Sequence, residues 1–218
     1  MVAKIPVRAE QIDAANRIYT QLDQWKRSDR VLGMLRNAFP SNTKDTDVIV
    51  KVAAINQLYS VRLYPVNEMA DHIASIFKRS LHTDELVENI AALPTHMKQK
   101  RYLSFASKYC HFFVDSEKFP IFDRYALKTL RKHLGRDAKS RGDRPQYADY
   151  CFDINTIRNE CGLRCSLKEL DRYLWLCGAY LERKTRKGKV SSELKRFFEK
   201  GDNDPDLALI RAVFESSE

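Results

Sequence analysis

The sequence predicts an all-α protein of two lobes. Apolar residues recur at three- and four-residue spacing along the whole chain, strand-like alternation is nearly absent, and cap residues or helix stops bracket the apolar stripes. With 218 residues, 44% of them apolar, the chain can bury a core that needs no external staple.

The first stripe is Ile12, Ala15, Ile18, Tyr19, Leu22 and Trp25. A second, Val48, Ile49, Val52, Ile55 and Tyr59, follows Thr43 and Asp45, whose oxygens suit a helix N-terminus. Asn67 is the expected cap of a third helix with Met69, Ile73, Ile76 and Phe77. Thr83 is the expected cap of a fourth with Leu86, Val87 and Ile90, which Pro94 stops. From about His96 to Phe113 the spacing predicts a helix with Leu103, Ala106, Tyr109, Cys110 and Phe113 on one face, and Val114 to Pro120 breaks it. Asp123 opens the next helix, with Ala126, Leu127, Leu130 and Leu134 inward and Gly135 as a left-handed stop. Arg136 to Asp149 is the longest polar stretch and reads as a surface loop. Ser166 and Glu169 form a capping box ahead of Leu170, Tyr173, Leu174, Trp175 and Cys177. Lys184 to Lys189 is a basic turn, followed by terminal helices at Ser191 to Lys200 and Asp206 to Glu215.

Lys and Arg outnumber Asp and Glu by 38 to 29, a net charge of +9. That surplus suits a phosphate backbone or an anionic membrane surface; the plainer alternative is a merely soluble basic protein. Met1 to Glu10 holds no apolar core of signal-peptide length, and nowhere do eighteen apolar residues run together. The expectation is a cytoplasmic protein without membrane attachment, with association with the nucleoid or a nuclear location as the alternatives. Cys110, Cys151, Cys161, Cys165 and Cys177 are odd in number, and the gaps of nine, three and eleven residues among the last four match no compact ligand pattern. They are expected to be reduced, buried thiols. No metal and no cofactor is expected.

Chemistry concentrates between Ser104 and Ala126. Lys108 shares a helix with core-facing residues, so its amine is expected to be partly desolvated, and Pro120 directs a short loop into the helix opened by Asp123. An amine able to capture C1′ and a carboxylate able to face a positive charge are what cleavage of an N-glycosidic bond needs, since its transition state is oxocarbenium-like. The plainer roles are a snorkelling lysine and an N-cap worth about 1 kcal/mol. His111, Phe112 and Tyr109 are candidates for the pocket of an extruded base, whose aromatic neighbours stack on it.

The order Ala106, Lys108, Phe119-Pro-Ile-Phe-Asp123, Leu127, Leu130 and Leu134-Gly135 resembles the second half of the helix-hairpin-helix DNA glycosylase signature. The segment from Ile55 to Arg62 is similar to the stretch of oxoguanine glycosylases in which an Asn fills the gap left by the flipped base. The resemblance covers residues 50–80 and 93–135. It implies a two-lobed helical enzyme, one lobe at 45–122 and the other at 1–44 with 123–218, with double-stranded DNA lying across the cleft between them. It further implies Lys108 as nucleophile, with Lys100 as the alternative, and Asp123 as its carboxylate. Asn56, Gln57 and Arg62 then contact DNA. The glycines of the family's hairpin are absent from Leu93-Pro-Thr-His-Met97, and Lys98, Lys100 and Arg101 stand in as phosphate ligands.

The expected enzyme is a monomeric glycosylase, monofunctional or with lyase activity, that removes a damaged base in repair or a modified base in defence against phages. The alternative is a non-catalytic helical nucleic-acid-binding module. Either partner predicts that affinity for duplex DNA falls steeply with salt, with a log–log slope of about −0.9 per neutralised phosphate. Replacing Lys98, Lys100 and Arg101 together by Ala is expected to flatten that slope, and a binding constant indifferent to salt removes DNA as partner.

Overall fold

The computed structural model describes residues 4–79, 85–94, 101–135, 146–184, 190–199 and 204–215. Among them all regular structure is helical: α1 (Ala9–Tyr19), α2 (Asp23–Ala38), α3 (Asp45–Leu58), α4 (Val66–Lys78), α5 (Leu86–Ala91), α6 (Leu103–Phe113), α7 (Arg124–His133), α8 (Tyr147–Glu160), α9 (Leu167–Arg183), α10 (Ser192–Glu199) and α11 (Pro205–Glu215). No helix among the described residues is long and apolar enough to cross a membrane.

The chain divides into two compact units, one drawn from residues 1–26, 123–145 and 149–218, the other from 27–122 with 146–148. The sequence places 27–44 with the first of these. They belong with the middle of the chain, because Tyr59 donates its hydroxyl proton to Asp29 at 2.9 Å and Arg36 donates to the Val114 carbonyl at 3.3 Å.

The first unit is built on α9, whose start is set by a reciprocal box: Ser166 Oγ accepts from Glu169 N, and Glu169 Oε2 accepts from Ser166 N at 2.8 Å. Tyr173, Leu174 and Cys177 are buried along it, with α1 and α7 packed on it. The first apolar stripe crosses a break between α1 and α2, and Trp25 continues it by meeting the Trp175 ring at 4.6 Å. His133 is fully buried; its Nδ1 donates to Ile5 O at 2.8 Å and its Nε2 accepts from the Tyr173 hydroxyl at 3.0 Å. Burial pushes this imidazole down to about 4, so it stays neutral and both bonds persist at neutral pH.

The second unit pairs α3 with α4 and α6, and α5 with α6. Its helix starts correct several expected caps. The N-cap of α3 is Lys44, and Ser41 Oγ, accepting from Thr43 N and Lys44 N, closes the turn before it. Pro65 precedes α4 and leaves Asn67 inside the first turn. Thr83 lies outside the described residues. The helix expected from His96 begins at Leu103, with Tyr102 N bonded back to Ala91 O at 3.0 Å; residues 95–100 lie outside the described set.

In the stretch read as a loop up to Asp149, α8 already begins at Tyr147. Tyr147, Tyr150, Ile154 and Ile157 are its buried line, at a helical spacing that the intervening Asp and Asn residues obscure.

Helices α9 and α7 approach closely at Gly178. A Cβ there would stand 2.1 Å from the Tyr125 carbonyl oxygen, so only glycine lets α9 and α7 meet at this height. Gly178→Ala is expected to destabilise by at least the ~1–3 kcal/mol of an overpacked core, read as a lower urea midpoint with an unchanged slope. An unchanged midpoint would show that the two helices are not in this contact.

Candidate active site

Lys108 lies on α6, and only 4% of its surface is exposed. Its Nζ donates to Ser104 Oγ at 2.9 Å and to Ser104 O at 3.3 Å, one turn earlier, and stands 5.9 Å from the centre of the Tyr59 ring. Four-residue spacing puts Ser104, Lys108 and Phe112 on one line of the helix. Phe112 and Tyr59 meet at 5.4 Å, so an aromatic pair flanks the amine. The Tyr59 ring is held at its far end by the bond to Asp29.

The loop after α6 is tied back to it. Phe119 N bonds to Asp115 O, and Asp115 N to Cys110 O. The Phe119 carbonyl accepts from His111 Nδ1 at 2.9 Å and the Pro120 carbonyl from the Tyr147 hydroxyl at 2.8 Å. The last tie is the important one: Phe122 N donates to Ser107 Oγ at 3.0 Å. Ser107 precedes Lys108 and Phe122 precedes Asp123, so one hydrogen bond joins the chain immediately before each candidate residue.

Asp123 is the N-cap of α7, its Oδ1 accepting from Tyr125 N and Ala126 N, both at 2.8 Å. Oδ2 takes no part in the cap. Gly135, with φ of +63°, ends the helix in the left-handed conformation the sequence predicts.

Two residues expected to line a base pocket do not reach solvent. Tyr109 is fully buried, bonded through its hydroxyl to Asn42 Oδ1 at 2.8 Å, and His111 is 2% exposed and committed to the loop carbonyl. Tyr109 points to another face of α6 than Lys108, whereas His111, three residues on, is set apart by its burial and its bond to Phe119 O.

Asn56, expected to contact DNA, instead braces its own turn: Oδ1 accepts from Leu63 N and Nδ2 donates to Leu63 O, both at 2.8 Å. Gln57 and Arg62 are exposed. Arg101 is ion-paired with Glu88. Lys98 and Lys100 lie outside the described residues. Cys110 and Cys177 are buried, but Cys151, Cys161 and Cys165 are partly exposed, against the expectation for all five. Among the described residues no group of His, Cys, Asp and Glu stands close enough to hold a metal.

The sequence reading missed a second lysine. Lys51 is 1% exposed and donates to Ser41 O and Asn42 Oδ1, both at 2.8 Å, with its ammonium 5.3 Å from the Phe113 ring centre. Asn42 Nδ2 donates to Phe113 O at 3.3 Å, so α3, the loop before it and the end of α6 meet at one amide. The available signal was Lys51 falling within the apolar line Val48, Val52 and Ile55.

A family model described as HI_0787_N, N-terminal domain, matches residues 11–118, which include Lys108 and end before Asp123. The chain is similar to an uncharacterized protein of Haemophilus influenzae, 34% identical over 128 residues, which are 56% of this chain. The match spans 62% of that relative's length. No solved structure matches.

Burial pushes Lys51 down to about 8, with Asp47 pulling partly the other way. An unfolded lysine titrates near 10.4, so between about pH 8 and 10.4 the folded chain holds the fewer protons and gains stability as pH rises. Below pH 8 both states are charged and the cost of burying the ammonium is fully present. The stability of the parent relative to Lys51→Met, measured by urea denaturation, is therefore expected to rise from pH 7.5 to 9.5. A flat difference would show that Lys51 is not desolvated.

Proposed function

We propose that this chain is a DNA glycosylase of the helix-hairpin-helix type, acting on a damaged or modified base in duplex DNA. Lys108 supplies the amine and Asp123 the carboxylate. The observation that carries the reading is the Ser107–Phe122 hydrogen bond, which ties together the chain leading into both residues.

In this scheme the C1′–N bond breaks and the base leaves with the electron pair. Positive charge grows on the sugar, and Asp123 Oδ2, unused by the cap, faces it. The neutral Lys108 amine bonds to C1′, and the proton it sheds goes to O4′ as the C1′–O4′ bond breaks. Opening of the sugar ring then gives an imine, from which β-elimination nicks the strand. Phe112 and Tyr59 stack on the extruded base. The net charge of +9 serves the phosphate backbone. Repair of damaged bases and removal of modified phage bases draw on this same chemistry.

A non-catalytic DNA-binding module is the second reading, favoured by the two bonds that make Asp123 a working cap. Asn caps as well as Asp does, so Asp123→Asn is expected to keep its folding stability within the scatter of surface variants, about 0.5 kcal/mol. Loss of the charge is expected to slow base release on the order of a hundredfold if it removes about 3 kcal/mol of transition-state stabilisation. Lys108→Gln is expected to abolish borohydride trapping on modified DNA while duplex binding survives. Full activity of Asp123→Asn on a base the parent removes would leave Asp123 as a cap alone.

A further inference from the structure

The Lys108 amine faces an aromatic ring that is itself held in place. Tyr59, the residue after α3, has its ring centre 5.9 Å from Nζ, and its hydroxyl donates to Asp29 Oδ1 of α2 at 2.9 Å. Phe112, one turn after Lys108 on α6, meets the same ring at 5.4 Å. All four residues belong to the unit that contains 27–122, so three separate segments converge on one amine.

A ring face attracts an ammonium more than it attracts the neutral amine, because its quadrupole presents negative charge to a cation. An aliphatic side chain at 59 would cover Nζ without that attraction. The ring turns about two side-chain torsions, and a bond from its far end to another helix limits both. Other charged groups on the helices packed against α6 are engaged elsewhere. On α3, Asp47 accepts from Ser41 N, Lys51 donates to Asn42 and Asp45 pairs with Lys78; on α5, Glu88 pairs with Arg101 and accepts from Tyr147 N. Asp29 bears on the Lys108 amine through the Tyr59 ring.

We propose that Asp29 and Tyr59 are positioning residues for Lys108: Asp29 fixes the ring, and the ring keeps the amine at Ser104. That the held amine is a nucleophile rests on the glycosylase reading; the holding does not.

The test follows Lys108 in two ways on the full chain. In the first, borohydride traps the imine that forms, with loss of water, between an amine and the open-chain aldehyde of a duplex carrying one natural abasic site. In the second, without DNA, formaldehyde and cyanoborohydride methylate amines, and peptide mass spectrometry reads the rate at Lys108, with the buried Lys51 as gauge of an intact unit. Asp29→Ala is expected to slow trapping about tenfold, since small misplacements of a reacting group are costly in rate, with affinity for the duplex unchanged. Its Lys108 is expected to methylate about two- to fivefold faster, because the cation loses the ring that favoured it, while Lys51 stays at the parent rate. Asp29→Asn keeps an oxygen that accepts from the hydroxyl and is expected to match the parent in both. Tyr59→Phe deletes that hydroxyl alone and is expected to follow Asp29→Ala; it carries the test if the Lys51 rate shows that Asp29→Ala has opened the unit. Both Lys108 rates at the parent value in these two variants overturn the inference, and so does Asp29→Asn as impaired as Asp29→Ala. Failure of the catalytic reading looks different. A Lys108 methylation rate that answers to Asp29→Ala, with no trapping by the parent, would sink Lys108 as nucleophile and leave the positioning pair standing.

Discussion

Asn42 is bonded by three groups from other parts of its unit. Its oxygen accepts from Lys51 on α3 and Tyr109 on α6, and its nitrogen donates to the Phe113 carbonyl at the end of α6. A primary amide suits this place because it offers an acceptor with two lone pairs and a donor on one rigid plane. The rest of the candidate site follows from that junction. It sets α6 against α3, which puts Lys108 under the Tyr59 ring, and it anchors the helix end from which the loop returns to Ser107.

The two buried lysines of this unit differ in where their partners come from. Lys51 is held by a carbonyl and an amide from the loop before its helix, so its ammonium joins segments and belongs to the fold. Lys108 donates to Ser104 on its own helix, four residues back, and stands over the Tyr59 ring at the end of α3.

Much of the scaffold was legible where a signal is local. The Ser166 and Glu169 box, the Asp123 cap and the left-handed Gly135 depend on residues within one turn, and each stands where the sequence puts it. Thr43 and Asn67 were equally plausible caps, but Ser41 closes the turn before α3 and Pro65 moves the start of α4. Helix α8 was overlooked because polar residues interrupt its apolar line.

The candidate site divides in the same way. Sequence by itself determined the all-helical class, the basic charge, and the places of a lysine on a core helix and of a capping aspartate after a proline-bearing loop. Those are matters of periodicity, composition and short-range spacing. Only the tertiary structure decided which side chains of α6 remain near solvent, that Asn56 is spent on Leu63, that Lys51 is buried against Asn42, and that Asp29 holds the Tyr59 ring beside Lys108. The physical reason is range: a helix face or a cap is set by neighbours three or four residues away. The partner that claims an amide or shields a ring comes from tens of residues along the chain, and one sequence carries no spacing rule for it.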